Sequence, residues 1–170
     1  MAATAFLAAA CGSSSPSSST SSAAPAASTS TATTASTAGA AVITTKSVAG
    51  LGTVLVNGQG RTLYIFVPDK HAKVTCVGGC AAAWPPVKLT GAKAQTAGQV
   101  KAALVSSDPD PAGGRVVTYN GWPLYLYAGD SQAGTANGQA LNSSGGLWYV
   151  ITPAGKVVTT KKSGSGGSTY

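Results

Sequence analysis

The chain has 170 residues, a length that suits one domain with room for extensions. Only 9% of it is charged, it contains no Glu, and its net charge of +7 is scattered rather than gathered into Lys/Arg blocks, which argues against a nucleic-acid binder. No run of 18 apolar residues suggests a spanning helix. One His and three Cys are poor material for a metal site, so no metal or cofactor is expected.

Residues 2–10 are small and apolar and run directly into Cys11, Gly12 and a Ser stretch. A short apolar segment, a small-residue box and then Cys is the pattern of a bacterial lipoprotein leader, so 1–10 reads as part of a signal peptide and Cys11 as the lipidated residue. Such a leader needs a positively charged start. The first charged residue is Lys46, so the leader is expected to begin upstream of Met1. The rest of 11–41 contains only Ser, Thr, Ala, Pro and Gly and cannot bury a core. It reads as a disordered tether with a typical span of about 30 Å. Residues 161–170 read as a second flexible end.

The folded part is expected over 42–160, mostly β. Gly52–Val56, the turn Asn57-Gly58-Gln59-Gly60 and Arg61–Val67 read as a first hairpin. Between Asp69 and Lys73 lies His71, a candidate base with no nucleophile beside it and more simply a surface residue. Cys76 and Cys80 form a close pair outside the cytoplasm with Gly78-Gly79 between them, and a disulfide is expected. Cys80–Trp84 suits one helical turn stopped by Pro85-Pro86. Gln99–Val105 suits a short helix, and Asp108-Pro-Asp110-Pro a solvated loop. Arg115–Tyr119, Asn120-Gly121 and Trp122–Tyr127 read as a second hairpin. Leu147–Ile151, Pro153-Ala-Gly155 and Lys156–Val158 read as a third.

An internal repeat stands out. Leu63-Tyr64-Ile65-Phe66 is followed by Asp69, and Leu124-Tyr125-Leu126-Tyr127 by Asp130. At strand period Tyr64 and Phe66 share one face and Leu63 and Ile65 the other, and the second copy does the same. Each strand is therefore apolar on both faces. Each Asp follows a turn former, where a carboxylate accepts loop N–H bonds. A pair of carboxylates also suggests acid–base work, but duplication favours a repeated structural bond. Tyr64, Phe66, Asp69, Tyr125, Tyr127 and Asp130 are accordingly read as structural.

These motifs, with Cys76-Val-Gly-Gly-Cys80-Ala-Ala-Ala-Trp84-Pro-Pro86, Tyr119–Tyr125 and Trp148-Tyr149-Val150, resemble the bacterial secreted-repeat lipoproteins defined by a Tyr-x-aromatic-x-x-Asp motif. The resemblance covers about 48–158. It implies location and architecture, and no reaction.

The tryptophans Trp84, Trp122 and Trp148 remain. They are read either as core or, where exposed, as a binding surface. The leading functional expectation is a non-enzymatic binding or structural module, lipid-anchored on the outer face of the membrane or secreted. Its scattered cations would adhere to anionic cell-wall polymers. The alternatives are a redox or electron-transfer accessory using the Cys pair or the aromatic residues, and a hydrolase using Asp69 and Asp130.

Overall fold

A computed structural model describes residues 41–69 and 73–161. Cys11, the tether and His71 lie outside the described residues, as does the tail beyond Lys161.

The described chain is mostly β, in three small three-stranded sheets. Strands β1 (Val42–Val48) and β2 (Gly52–Asn57) form an antiparallel hairpin with Lys46 opposite Val54. The short β4 (Gln95–Thr96) lies parallel beside β1. In the second sheet β3 (Tyr64–Phe66) pairs with β9 (Gly146–Val150), which pairs with β8 (Leu141–Ser143). The third sheet holds β5 (Val105–Pro109), β6 (Arg115–Tyr119) and β7 (Trp122–Pro123). The one α-helix among the described residues, α1 (Gly79–Ala83), has only five residues and ends at Trp84 just before Pro85.

The turns follow the sequence closely. Asn57 Oδ1 accepts the amides of Gln59 and Arg61, so the side chain itself closes the first turn. Asn120 and Gly121 are both left-handed, with φ of 49° and 77°, as a two-residue hairpin requires. Ile151 bridges to Val157 across the third turn.

Four elements differ from expectation. The return strand expected over Trp122–Tyr127 is a strand only at Trp122–Pro123, and Tyr125 bridges to Tyr64 instead. The first hairpin zips only to Leu63, whose amide donates to Leu55. From Tyr64 on the chain leaves β2 and pairs with β9, because its two apolar faces need cover that a two-stranded hairpin cannot provide. The helix expected over 99–105 shrinks to a 3₁₀ turn at Ala102–Leu104, since one short amphipathic stretch cannot repay helix nucleation. The loop expected at 108–111 begins instead as the end of β5, and Asp110 is only 7% exposed.

Two hydrophobic clusters share this frame. One holds Tyr64, Phe66, Trp84, Tyr125, Trp148 and Val150. The other holds Ile43, Leu55, Leu63, Ile65, Val117 and Leu124. β3 is thus a wall between them, sending alternate side chains to opposite sides.

Candidate functional site

The two motif strands meet at Tyr64 and Tyr125. Each amide donates to the other's carbonyl at 2.9 Å. Both side chains are fully buried in the same cluster. Because the strands run antiparallel here, each phenol points toward the Asp of the other repeat. Tyr64 Oη donates to Asp130 Oδ2 at 2.6 Å, and Tyr125 Oη donates to Asp69 Oδ2 at 2.5 Å.

The other oxygen of each carboxylate holds the loop after its own strand. Asp69 Oδ1 accepts the Thr75 amide at 2.8 Å and the Thr75 hydroxyl at 2.5 Å. Asp130 Oδ1 accepts the Asn137 amide at 2.8 Å. The next residue along then turns to the phenol. The Gly138 amide donates to Tyr64 Oη at 3.2 Å, and in the other repeat the Cys76 main chain lies by the Tyr125 phenol and opposes the rise of its pKa. Sequence reasoning missed Thr75, Asn137 and Gly138, and marked Cys76 only as half of the cysteine pair. Their near-equal distance beyond each Asp is the one signal that marks them.

Burial dominates the electrostatics. It pushes both phenols well above the ordinary tyrosine range, and the facing carboxylates push the same way. Both tyrosines are therefore neutral donors at any physiological pH. Burial also raises the Asp69 carboxyl, against the opposing bonds from Thr75 and Tyr125. Asp69 and Asp130 are each 1% exposed and use both oxygens, so neither faces solvent as a catalytic acid or base would. The hydrolase alternative has no accessible carboxylate pair to work with.

Around this exchange lies a column of rings. Phe66 stacks on Trp148 at 4.2 Å, Trp148 on Trp84 at 3.9 Å and 1°, and Trp84 on Tyr127 at 4.2 Å. Tyr64 meets Trp84 edge-on at 5.5 Å, and Tyr125 meets Trp148 edge-on at 5.2 Å. Each repeat thus supplies one Trp, one edge-on Tyr and one end of the column. The expected tryptophan surface is corrected accordingly. Trp84 and Trp148 have no exposed area, because a domain whose single Phe is Phe66 fills its centre with its indoles. Trp122 is half-buried and packs against the other cluster.

Cys76 and Cys80 are joined in a disulfide, with Cα atoms 5.2 Å apart. It ties the Thr75–Cys76 amides to α1, and Cys80 packs against the ring cluster. Asp110 forms an ion pair with Lys88 and accepts the Ala112 amide at 2.8 Å. Burial raises its carboxyl, but the ammonium and the amide outweigh this and hold it below the ordinary range. Among the described residues no three His, Cys, Asp or Glu side chains gather as a metal site. No described helix is long and apolar enough to cross a membrane. A shallow groove of about 300 Å³, lined by Leu89, Lys93, Thr96, Val105 and Ser106 among others, contains no residue of the motif.

Two related halves that complete one another's hydrogen bonds define a duplicated β module. A family model described as a secreted repeat of unknown function matches residues 45–88 and again 108–152, just over half the chain. The chain belongs to that family. No curated protein and no solved structure matches it.

Proposed function

We propose that this chain is a non-enzymatic module displayed outside the membrane, anchored through a lipid on Cys11, which holds to anionic polymers of the cell surface through an unbalanced cationic exterior. One observation supports this reading above the others: the acidic residues are turned inward. Asp69 and Asp130 are sealed by tyrosines, and Asp110 is buried against Lys88 in the one salt bridge among the described residues. Asp108 is half-buried in β5. Lys46, Lys73, Lys93, Lys101, Lys156 and Lys161 are exposed, and among the described residues no carboxylate forms an ion pair with any of them. A polyanion meets a surface of nearly one sign, and such attraction is long-ranged and salt-sensitive.

The test is co-sedimentation of the soluble domain with cell-wall fragments across a salt series. Retention at low salt should disappear between roughly 0.1 and 1 M, as the screening length falls from about 10 to about 3 Å. No retention at low salt, or retention indifferent to salt, would overturn the adhesive role. The anchor is tested separately. The full chain should partition into detergent and Cys11→Ser should not. A Cys11→Ser chain that stays with the membrane contradicts the anchor.

A further inference from the structure

We propose that the ring column is a relay for oxidising equivalents: a one-electron hole entering at Tyr127 passes through the stacked tryptophans and settles on Tyr64 or Tyr125, whose phenolic proton moves to the facing carboxylate. This goes beyond adhesion and assigns the buried motif an activity of its own.

The geometry supplies each part. The four rings Phe66, Trp148, Trp84 and Tyr127 lie face to face with centroids 3.9–4.2 Å apart. Phe66 is too hard to oxidise and closes one end. Tyr127 is half-buried and gives the other end an opening to solvent. An oxidised indole becomes persistent by losing its N–H proton to a base. Trp84 Nε1 is buried and has no acceptor among the described residues. Trp148 Nε1 has only the peptide oxygen of Ser143 at 3.1 Å, which is a feeble base. Neither indole can shed its proton, so neither holds the hole. Each edge-on phenol, by contrast, has a carboxylate at 2.5–2.6 Å, within the reach that proton transfer requires.

The step balances. An oxygen-centred radical outside the membrane takes one electron from the Tyr127–Trp84 end and one proton from water, and becomes a hydroxylic product, leaving one hydroxide in the solvent. The hole moves to Tyr64. The Tyr64 O–H bond breaks, its electron fills the hole, and its proton bonds to Asp130 Oδ2. The result is a neutral phenoxyl radical beside a neutral carboxylic acid. A buried negative charge has disappeared, and loss of charge is what a desolvated site favours. The Tyr125–Asp69 pair offers the same exit from Trp148. A one-electron donor of the hydroquinone class reverses the step: its electron goes to the phenoxyl, the carboxylic acid returns the phenolic proton, and the donor's own proton neutralises the hydroxide in the solvent.

The experiment uses azidyl radicals, generated by pulse radiolysis, on the intact domain. In the unmodified protein an indolyl signal should give way to a phenoxyl signal at a rate independent of protein concentration. The Asp69→Asn, Asp130→Asn double variant removes both proton acceptors and should slow that conversion by about 100-fold. The Tyr64→Phe, Tyr125→Phe variant should lose the fast phase, while Tyr149→Phe should keep it. An unchanged rate in either double variant, with the native near-UV circular dichroism intact, overturns the relay. Should both variants fail to fold, the unmodified domain in D2O decides. A slower conversion than in H2O supports proton transfer to the carboxylate, and an equal rate rejects it.

Discussion

Tyr64 and Tyr125 exchange both main-chain hydrogen bonds, and each gives its phenolic proton bond to the carboxylate that belongs to the other's motif. An approximate two-fold axis therefore passes between them, as at the interface of a symmetric dimer. The motif Tyr-x-aromatic-x-x-Asp is completed only by a second copy of itself. That explains why the repeat occurs as a pair within one chain.

Removing either carboxylate should cost a similar amount. Asp69→Asn and Asp130→Asn each weaken one buried Tyr bond and a loop amide bond, so each should lower unfolding stability by about 1.5–3 kcal/mol in urea titration. Widely unequal losses would mean that the two halves do not carry equal weight.

Gly138 is a steric pinch point. A Cβ there would lie 2.7 Å from Trp84 and 3.0 Å from Tyr64, both rigid rings in a filled core. Gly138→Ala should destabilise by about 1–3 kcal/mol. Gly79→Ala is the matched control, because nothing lies within 4 Å of its Cβ and it sits in α1. Thermal melts should separate the two, with Gly79→Ala neutral or slightly stabilising.

Trp84→Ala empties the middle of the ring column. Truncating a fully buried Trp costs about 3–5 kcal/mol, against a total of about 5–15 kcal/mol for a domain. The variant should be partly unfolded at 37 °C by circular dichroism. A melt within a few degrees of the unmodified protein would show the column to be dispensable.

The acid limb of stability should depend on Asp110. Its carboxyl lies below the ordinary range in the folded state, so its contribution is complete above the unfolded value of about 4 and is lost as pH falls through the folded one. Asp69 has the opposite sign. Its raised carboxyl makes the folded state hold a proton more tightly, so its contribution declines as pH rises from the unfolded value through the folded one. Asp110→Asn should therefore lower the melting temperature at pH 7 and flatten its fall below pH 4. A curve parallel to the unmodified protein's would disprove the role of the Lys88 pair.

Local chemistry made much of this fold legible. Asn57-Gly58 and Asn120-Gly121 marked turns because few residues accept left-handed backbone. Cys76 and Cys80 marked a disulfide because two glycines let the chain double back. The two-faced strand at 63–66 was legible as alternation, and its burial between two clusters follows from that. Partner choice was not legible. Nothing local says that Tyr64 should pair with Val150 and Tyr125 rather than continue along β2, because that choice is made by long-range packing. For the same reason the sequence located each Asp at its loop but not the phenol from the other repeat. The tryptophans were ambiguous because an indole next to a turn suits a surface and a core equally, and only the 3.9 Å stack of Trp84 on Trp148 separates the two.

The motif bonds across repeats rather than within them. A double-mutant cycle measures this directly, with Tyr64→Phe combined once with Asp130→Asn and once with Asp69→Asn. The cross-repeat pair should show an interaction energy of about 0.5–3 kcal/mol, and the same-repeat pair should be additive within about 0.5 kcal/mol. Coupling between Tyr64 and Asp69 that equals or exceeds that between Tyr64 and Asp130 would contradict the account.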